Sequence, residues 1–78
     1  MRRNLTFYGT KDKICGTIKD LGDGVYSTSF GEQIVRDCKK WYCVKYGAEP
    51  WYLGCSFREA VKAYVSHYDC EIPDYQMN

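Results

Sequence analysis

The sequence predicts an α+β domain: an antiparallel sheet of three to five strands with one principal C-terminal amphipathic helix at about residues 57–68. Three observations predict it. The string Ser56-Phe57-Arg58-Glu59 is a capping box, and Phe57, Ala60, Val61, Tyr64, Val65 and Tyr68 then recur at helical spacing while Arg58, Lys62 and Ser66 point away. Asp23-Gly24 lies between two β-type runs, and this residue pair tolerates the positive φ angles of a tight hairpin. Eight Tyr, three Phe and two Trp in 78 residues supply the large rings with which a short chain can fill a core.

The elements follow in order. Residues 5–8 form a short β-type run, ended by Gly9-Thr10-Lys11-Asp12. Residues 14–20 alternate as a half-buried strand with Ile14, Gly16 and Ile18 on one face, Leu21-Gly22-Asp23-Gly24 turns the chain, and 25–30 returns as the partner. The middle supports two readings. Ser29-Phe30-Gly31-Glu32 also matches a capping box, and Ile34, Cys38, Trp41, Tyr42 and Lys45 recur at helical spacing with Gly47 as a stop, which would make a second helix at about 31–46. Against this, Trp41-Tyr42-Cys43-Val44-Lys45-Tyr46 is dense in strand-favouring side chains, and Gly47-Ala48-Glu49-Pro50 punctuates it before Trp51-Tyr52-Leu53, so strands are favoured. After the helix, 69–78 is an acidic tail without period, whose Ile72 and Tyr75 are expected to fold back on the core.

A chain of this size makes one core, so 1–78 is read as a single domain. Five cysteines, an odd number, match a closed disulfide framework poorly. The basic start Met1-Arg2-Arg3-Asn4 has no apolar export segment behind it, and no run reaches membrane-spanning length. The expectation is a soluble, cytoplasmic protein with reduced thiols. The net charge is +1, with nine Lys or Arg against five acids in 1–45 and two against five in 46–78. A strongly acidic nucleic-acid mimic is thereby excluded.

Catalysis has little material. His67 is the sole histidine and falls at the last helical turn, where the macrodipole disfavours a thiolate partner such as Cys70. Ser66, His67 and Asp69 are neighbours in sequence, which reads as a frayed helix end, since triad members converge from separate segments. No glycine-rich phosphate loop stands between a strand and a helix. The metal alternative is a zinc site from Cys38, Cys43, His67 and Cys70, although Cys38-x4-Cys43 and His67-x2-Cys70 fit no strong motif, and Cys15, Cys43 and Cys55 fall at expected core positions. The chain is therefore expected to be no enzyme and to need no cofactor.

Binding remains. A core this small cannot take every ring, so a partner-binding face is expected from Lys40, Trp41, Tyr42, Lys45, Tyr46, Trp51 and Tyr52, because exposed Tyr and Trp beside cations dominate protein interfaces. The alternative is a nucleic-acid-binding module using Lys39, Lys40, Trp41 and Lys45, flanked by Arg58 and Lys62. A third class is a homodimer made by pairing a strand edge.

Trp41-Tyr42-Cys43-Val44, the turn to Pro50, Trp51-Tyr52-Leu53-Gly54, then Phe57, Glu59-Ala60 and Ala63-Tyr64 form a strand–turn–strand–helix string. Residues 40–68 thereby resemble the three-stranded DNA-binding domain of plant ethylene-response factors and of phage integrase N-termini. That resemblance implies groove-reading positions at Lys40, Trp41, Lys45 and Trp51, but the family's Arg-Gly signature is missing from the first strand and the cationic face is thin. As a whole the chain, beginning at its own Met and lacking chemistry, resembles the small accessory proteins of phages and mobile elements. By that likeness it would be a stoichiometric inhibitor or regulator of anti-CRISPR or other counter-defence type, docking on a host protein or ribonucleoprotein complex in the host cytoplasm.

Overall fold

Hairpin chemistry lays out the sheet. In the computed structural model, which describes residues 4–77, β1 (Asn4–Tyr8), β2 (Ile14–Gly22), β3 (Val25–Thr28), β4 (Gln33–Asp37), β5 (Lys40–Val44) and β6 (Trp51–Gly54) form one antiparallel sheet in sequence order, followed by α1 (Phe57–His67). The basic start at Met1–Arg3 lies outside the described residues, as does Asn78. The α+β class stands, with six strands instead of three to five. The helix alternative at 31–46 is overturned, because that segment is the β4–β5 hairpin.

Each tight turn has a local cause. Between β2 and β3 the two-residue loop Asp23-Gly24 has φ of 56° and 77°, the positive pair that a primed hairpin turn needs. Between β3 and β4 the loop is Ser29-Phe30-Gly31, closed by Thr28 N–H to Glu32 O at 2.8 Å and ended by Gly31 at φ 83°. The same residues that read as a capping box thus make a three-residue hairpin, because Gly31 takes the left-handed position that a helix start has no use for. Cys38, at φ 60°, sits in the two-residue turn between Asp37 and Lys40.

One face of the sheet carries the core. Leu5, Phe7, Ile18, Ile34, Trp41 and Cys43 face α1, which buries Ala60, Val61, Tyr64 and Val65 against them. Gly16 is part of this packing: a Cβ there would lie 2.8 Å from the Phe7 ring and 2.5 Å from Ser29 Oγ. The expected face of Ile14, Gly16 and Ile18 is broken at its first member. Register slips by one residue after Phe7, which pairs with Gly16 while Tyr8 pairs with Ile14, so Cys15 is the extra residue and Ile14 is left exposed.

Helix α1 begins as expected, with Ser56 Oγ accepting from Glu59 N–H at 3.2 Å, although the Glu59 carboxylate reaches Cys55 N–H instead of the cap residue. Its end is not frayed. Asp69 is left-handed at φ 58°, Cys70 N–H bonds to Val65 O at 2.9 Å and Asp69 N–H to Ser66 O at 3.0 Å, which is a Schellman closure with Cys70 and Val65 in its apolar contact.

That closure aims the tail back across the core to β1. Tyr8 and Glu71 exchange two backbone hydrogen bonds of 2.8 and 2.7 Å, and the Gln76 side-chain amide pairs with the Thr6 backbone at 2.8 and 3.0 Å. Ile72 and Met77 are buried, whereas Tyr75 is 72% exposed, so of the two residues expected to fold back only Ile72 does. Cys15 and Cys70 form a disulfide across 55 positions, a closure that removes about 4 kcal/mol of unfolded-chain freedom in the loop-entropy picture. The expectation of reduced thiols throughout is therefore corrected. The odd count concealed one pair and three free cysteines, of which Cys43 is buried and Cys38 and Cys55 are exposed, the last against expectation. Among the described residues no helix is long and apolar enough to cross a membrane.

Candidate binding surface

Strand alternation divides the predicted site. On β5, Trp41 and Cys43 point to the helix and Lys40, Tyr42 and Val44 to the opposite face. Trp41 is only 8% exposed, packed on Phe57 and Tyr26 with ring centroids 5.3 and 6.0 Å away, so it belongs to the core and not to a recognition face. Trp51 pairs with Cys43 and hence lies on the helix side, its ring 4.5 Å from that of His67. Lys45 and Tyr46 follow β5 in an exposed turn, closed by Ala48 N–H to Lys45 O at 3.1 Å with Gly47 at φ 80°. Of the seven expected partner-binding residues, only Lys40, Tyr42 and Tyr52 share one open face.

That open face has two halves. Thr6, Thr17, Lys19, Ser27 and Gln33 form a polar half in cross-strand register. Val25, Val35, Tyr42, Val44 and Tyr52 form an apolar half, through the pairs Val25 with Val35, Val35 with Tyr42 and Tyr42 with Tyr52. The Tyr42 and Tyr52 rings meet edge to face at 5.8 Å, and Tyr52 is 48% exposed. Beside them Val35, Asp37, Tyr42, Val44 and Pro50 enclose a depression of about 190 Å³. Small-molecule sites run to about 300–1,000 Å³, so this hollow suits one inserted side chain better than a cofactor. Sequence spacing alone could have found the Tyr42 and Val44 pair, but Val25 and Val35 join them only through the hairpin registers.

On the helix side lies a polar cluster that the sequence reading missed. Glu32 is 8% exposed and accepts from Tyr64 O–H at 2.9 Å, from Cys43 S–H at 3.4 Å and from Tyr68 O–H. Tyr64 O–H also lies 2.9 Å from Thr28 Oγ1; since its one proton goes to the carboxylate, the Thr28 hydroxyl is the donor to it, and Thr28 Oγ1 accepts in turn from the Phe30 and Glu32 amides at 3.3 Å. Burial raises the Glu32 carboxyl pKa, but the hydrogen bonds from Tyr68, Tyr64 and Cys43, with the charge of Lys45, outweigh it and hold the group below the usual carboxylate range. Burial and the Glu32 charge push the Cys43 thiol up to about 12, and the hydrogen bond to Glu32 pushes Tyr68 up to about 12. Cys43 is thus a proton donor and no nucleophile at neutral pH. Every member is satisfied within the fold, so the cluster reads as a fastener between the β3–β4 hairpin and α1.

The remaining expected groups are dispersed. Arg58 and Lys62 both bind Asp74 of the tail, at 3.1 and 2.9 Å, on the outer side of the helix, while Lys39 and Lys40 sit at the β4–β5 turn. The zinc alternative loses its ligands: Cys70 is in the disulfide, Cys43 is held by Glu32, Cys38 is exposed at its turn and His67 lies on Trp51. Among the described residues no three His, Cys, Asp or Glu gather as a metal set. Of the two edge strands, β1 is covered by the tail at Thr6 and Tyr8, while on β6 Gly54 lies against Glu59 and Trp51 and Tyr52 are exposed. Compared with protein-family models, curated proteins and solved structures, the chain matches none.

Proposed function

We propose that this domain is a non-enzymatic binding module that docks stoichiometrically on another protein, or on the protein part of a ribonucleoprotein complex, through the apolar half of its open sheet face. One observation supports the reading above others: Tyr42 and Tyr52 stand beside a hollow of side-chain size on a sheet face that no element of the described chain covers. Aromatic anchors next to a small apolar hollow have the chemistry of an interface centre, and Asp37 and Lys40 would make a polar rim. A counter-defence inhibitor or regulator, of the kind found among phage accessory proteins, is the setting we propose for such docking.

The test pairs capture with a change on that face. Tagged protein should retain a stoichiometric partner from a bacterial lysate, and Val44→Ser with Tyr52→Ser should weaken retention at least tenfold while the thermal midpoint stays within a few degrees. Retention unaffected by the double substitution would remove the open face from the proposal. The competing reading is a single-stranded nucleic acid laid over Tyr42 and Tyr52 beside Lys40; binding that falls steeply with salt would favour it, and weak, salt-insensitive binding would end it.

A further inference from the structure

We propose that the C-terminal segment 70–77 is a redox-released strap, held on β1 by the Cys15–Cys70 disulfide and freed when that bond is reduced. The segment meets the outer edge of β1 at one antiparallel bridge, Tyr8 with Glu71, and then turns as a 3-10 helix at Asp74–Met77. It supplies Glu71 to Tyr8 through two backbone bonds and the Gln76 amide to Thr6, so it satisfies the edge groups that β2 cannot reach. The disulfide joins the first residue of this segment to the bulge residue of β2, where the chain has just left the Schellman closure of α1.

The segment lies at the surface with solvent on several sides. Clefts of about 430, 120 and 300 Å³ flank it, between the tail and helix α1, between the tail and Tyr8-Gly9, and between Glu71, Asp69 and the residues 8–11. Its apolar anchors are Ile72 and Met77, and its ion pairs are those of Asp74 with Arg58 and Lys62, on exposed side chains that salt weakens. Ordering each backbone residue costs about 1–2 kcal/mol, against which stand two buried apolar side chains and the four hydrogen bonds to β1, so the covalent tie at Cys70 weighs toward docking.

Reduction needs a dithiol. Its thiolate attacks the half-buried Cys15 sulfur, since Cys70 is only 4% exposed; the Cys15–Cys70 bond breaks, and Cys70 leaves as a thiolate that takes a proton from water. The second thiol then attacks the mixed disulfide and releases Cys15. Two electrons pass to the protein sulfurs and the dithiol becomes a disulfide.

Residue-resolved amide exchange by NMR, with and without dithiothreitol, tests this directly. The amides of Thr6, Tyr8 and Glu71, whose acceptors cross the tail interface, should exchange at least tenfold faster after reduction. Those of Ile18, Ile34 and Tyr64 should speed up only as far as the lost cross-link lowers the stability of the whole fold, and should stay far more protected than the three tail-interface amides. The double variant Cys15→Ser with Cys70→Ser should show the fast pattern without reductant and no response to it. Unchanged rates at Thr6 and Tyr8, protection of Thr6, Tyr8 and Glu71 after reduction as high as that of Ile18, Ile34 and Tyr64, or alkylation of Cys70 in the unreduced protein would each overturn the proposal.

Discussion

Gly16 is where a single missing atom matters most. Phe7 lies over it on the core face, and any Cβ would meet the Phe7 ring and the Ser29 hydroxyl, which itself accepts from Thr17 N–H at 3.0 Å. Gly16→Ala should therefore cost about 1–3 kcal/mol, the range for overpacking a filled core, in spite of the gain from stiffening the unfolded chain. Urea unfolding measures it, and an unchanged or raised midpoint would show that Phe7 gives way freely. The Asp69 position has the opposite sign. A left-handed aspartate at the negative end of a helix meets both backbone strain and an unfavourable dipole, so Asp69→Gly should raise stability by about 0.5–1 kcal/mol. A lower melting point would indicate that its carboxylate makes a compensating contact.

At the scale of elements, α1 was readable because three independent signals agreed: Ser56 as cap, the spacing of Ala60, Val61, Tyr64 and Val65, and the absence of breakers between them. Ser56→Ala should remove the 3.2 Å bond to Glu59 N–H and destabilise the domain by about 1 kcal/mol, with a circular dichroism melt as the check. A change within error would mean that Glu59 and the packed face hold the start unaided. The β4–β5 hairpin was harder to read. Ile34, Cys38, Trp41 and Tyr42 fit a helical stripe, yet in the fold Cys38 is an exposed turn residue and Tyr42 faces away from Trp41. Short apolar runs satisfy both periods, and only register against β3 and β6 decides between them. The same limit split the candidate site: density of rings in 41–52 was legible, but alternation sent Trp41 and Trp51 to the helix side and left Tyr42 and Tyr52 outside. The Cys15–Cys70 pair and the Glu32 cluster were not legible at all, since each joins segments distant in sequence by a contact that no local pattern encodes.

Across the whole molecule, the Glu32 cluster ties protonation to folding. Glu32 has a folded pKa below its unfolded one, so its contribution is present above the ordinary carboxylate range and is lost as pH falls through the folded value; Asp74, lowered by Lys62 and Arg58 at the surface, shares that direction weakly. Cys43 and Tyr68 have folded values raised to about 12 from 9.0 and 10.0, so their contributions are complete below those unfolded values and are lost as pH rises toward 12. Stability should consequently be flat between about pH 5 and pH 9, with an acid limb and an alkaline limb. Glu32→Gln separates the two sides. It keeps an acceptor for Tyr64 and Tyr68 but loses the charge, so it should cost about 1–3 kcal/mol at neutral pH and flatten the acid limb. The alkaline limb should shrink as well, because the Glu32 charge is one of the causes that raise Cys43 and Tyr68. Urea midpoints for both proteins across this pH range decide the matter: if the variant loses stability on acidification as steeply as the parent, the acid response lies in the surface carboxylates and not in the clasp between hairpin and helix.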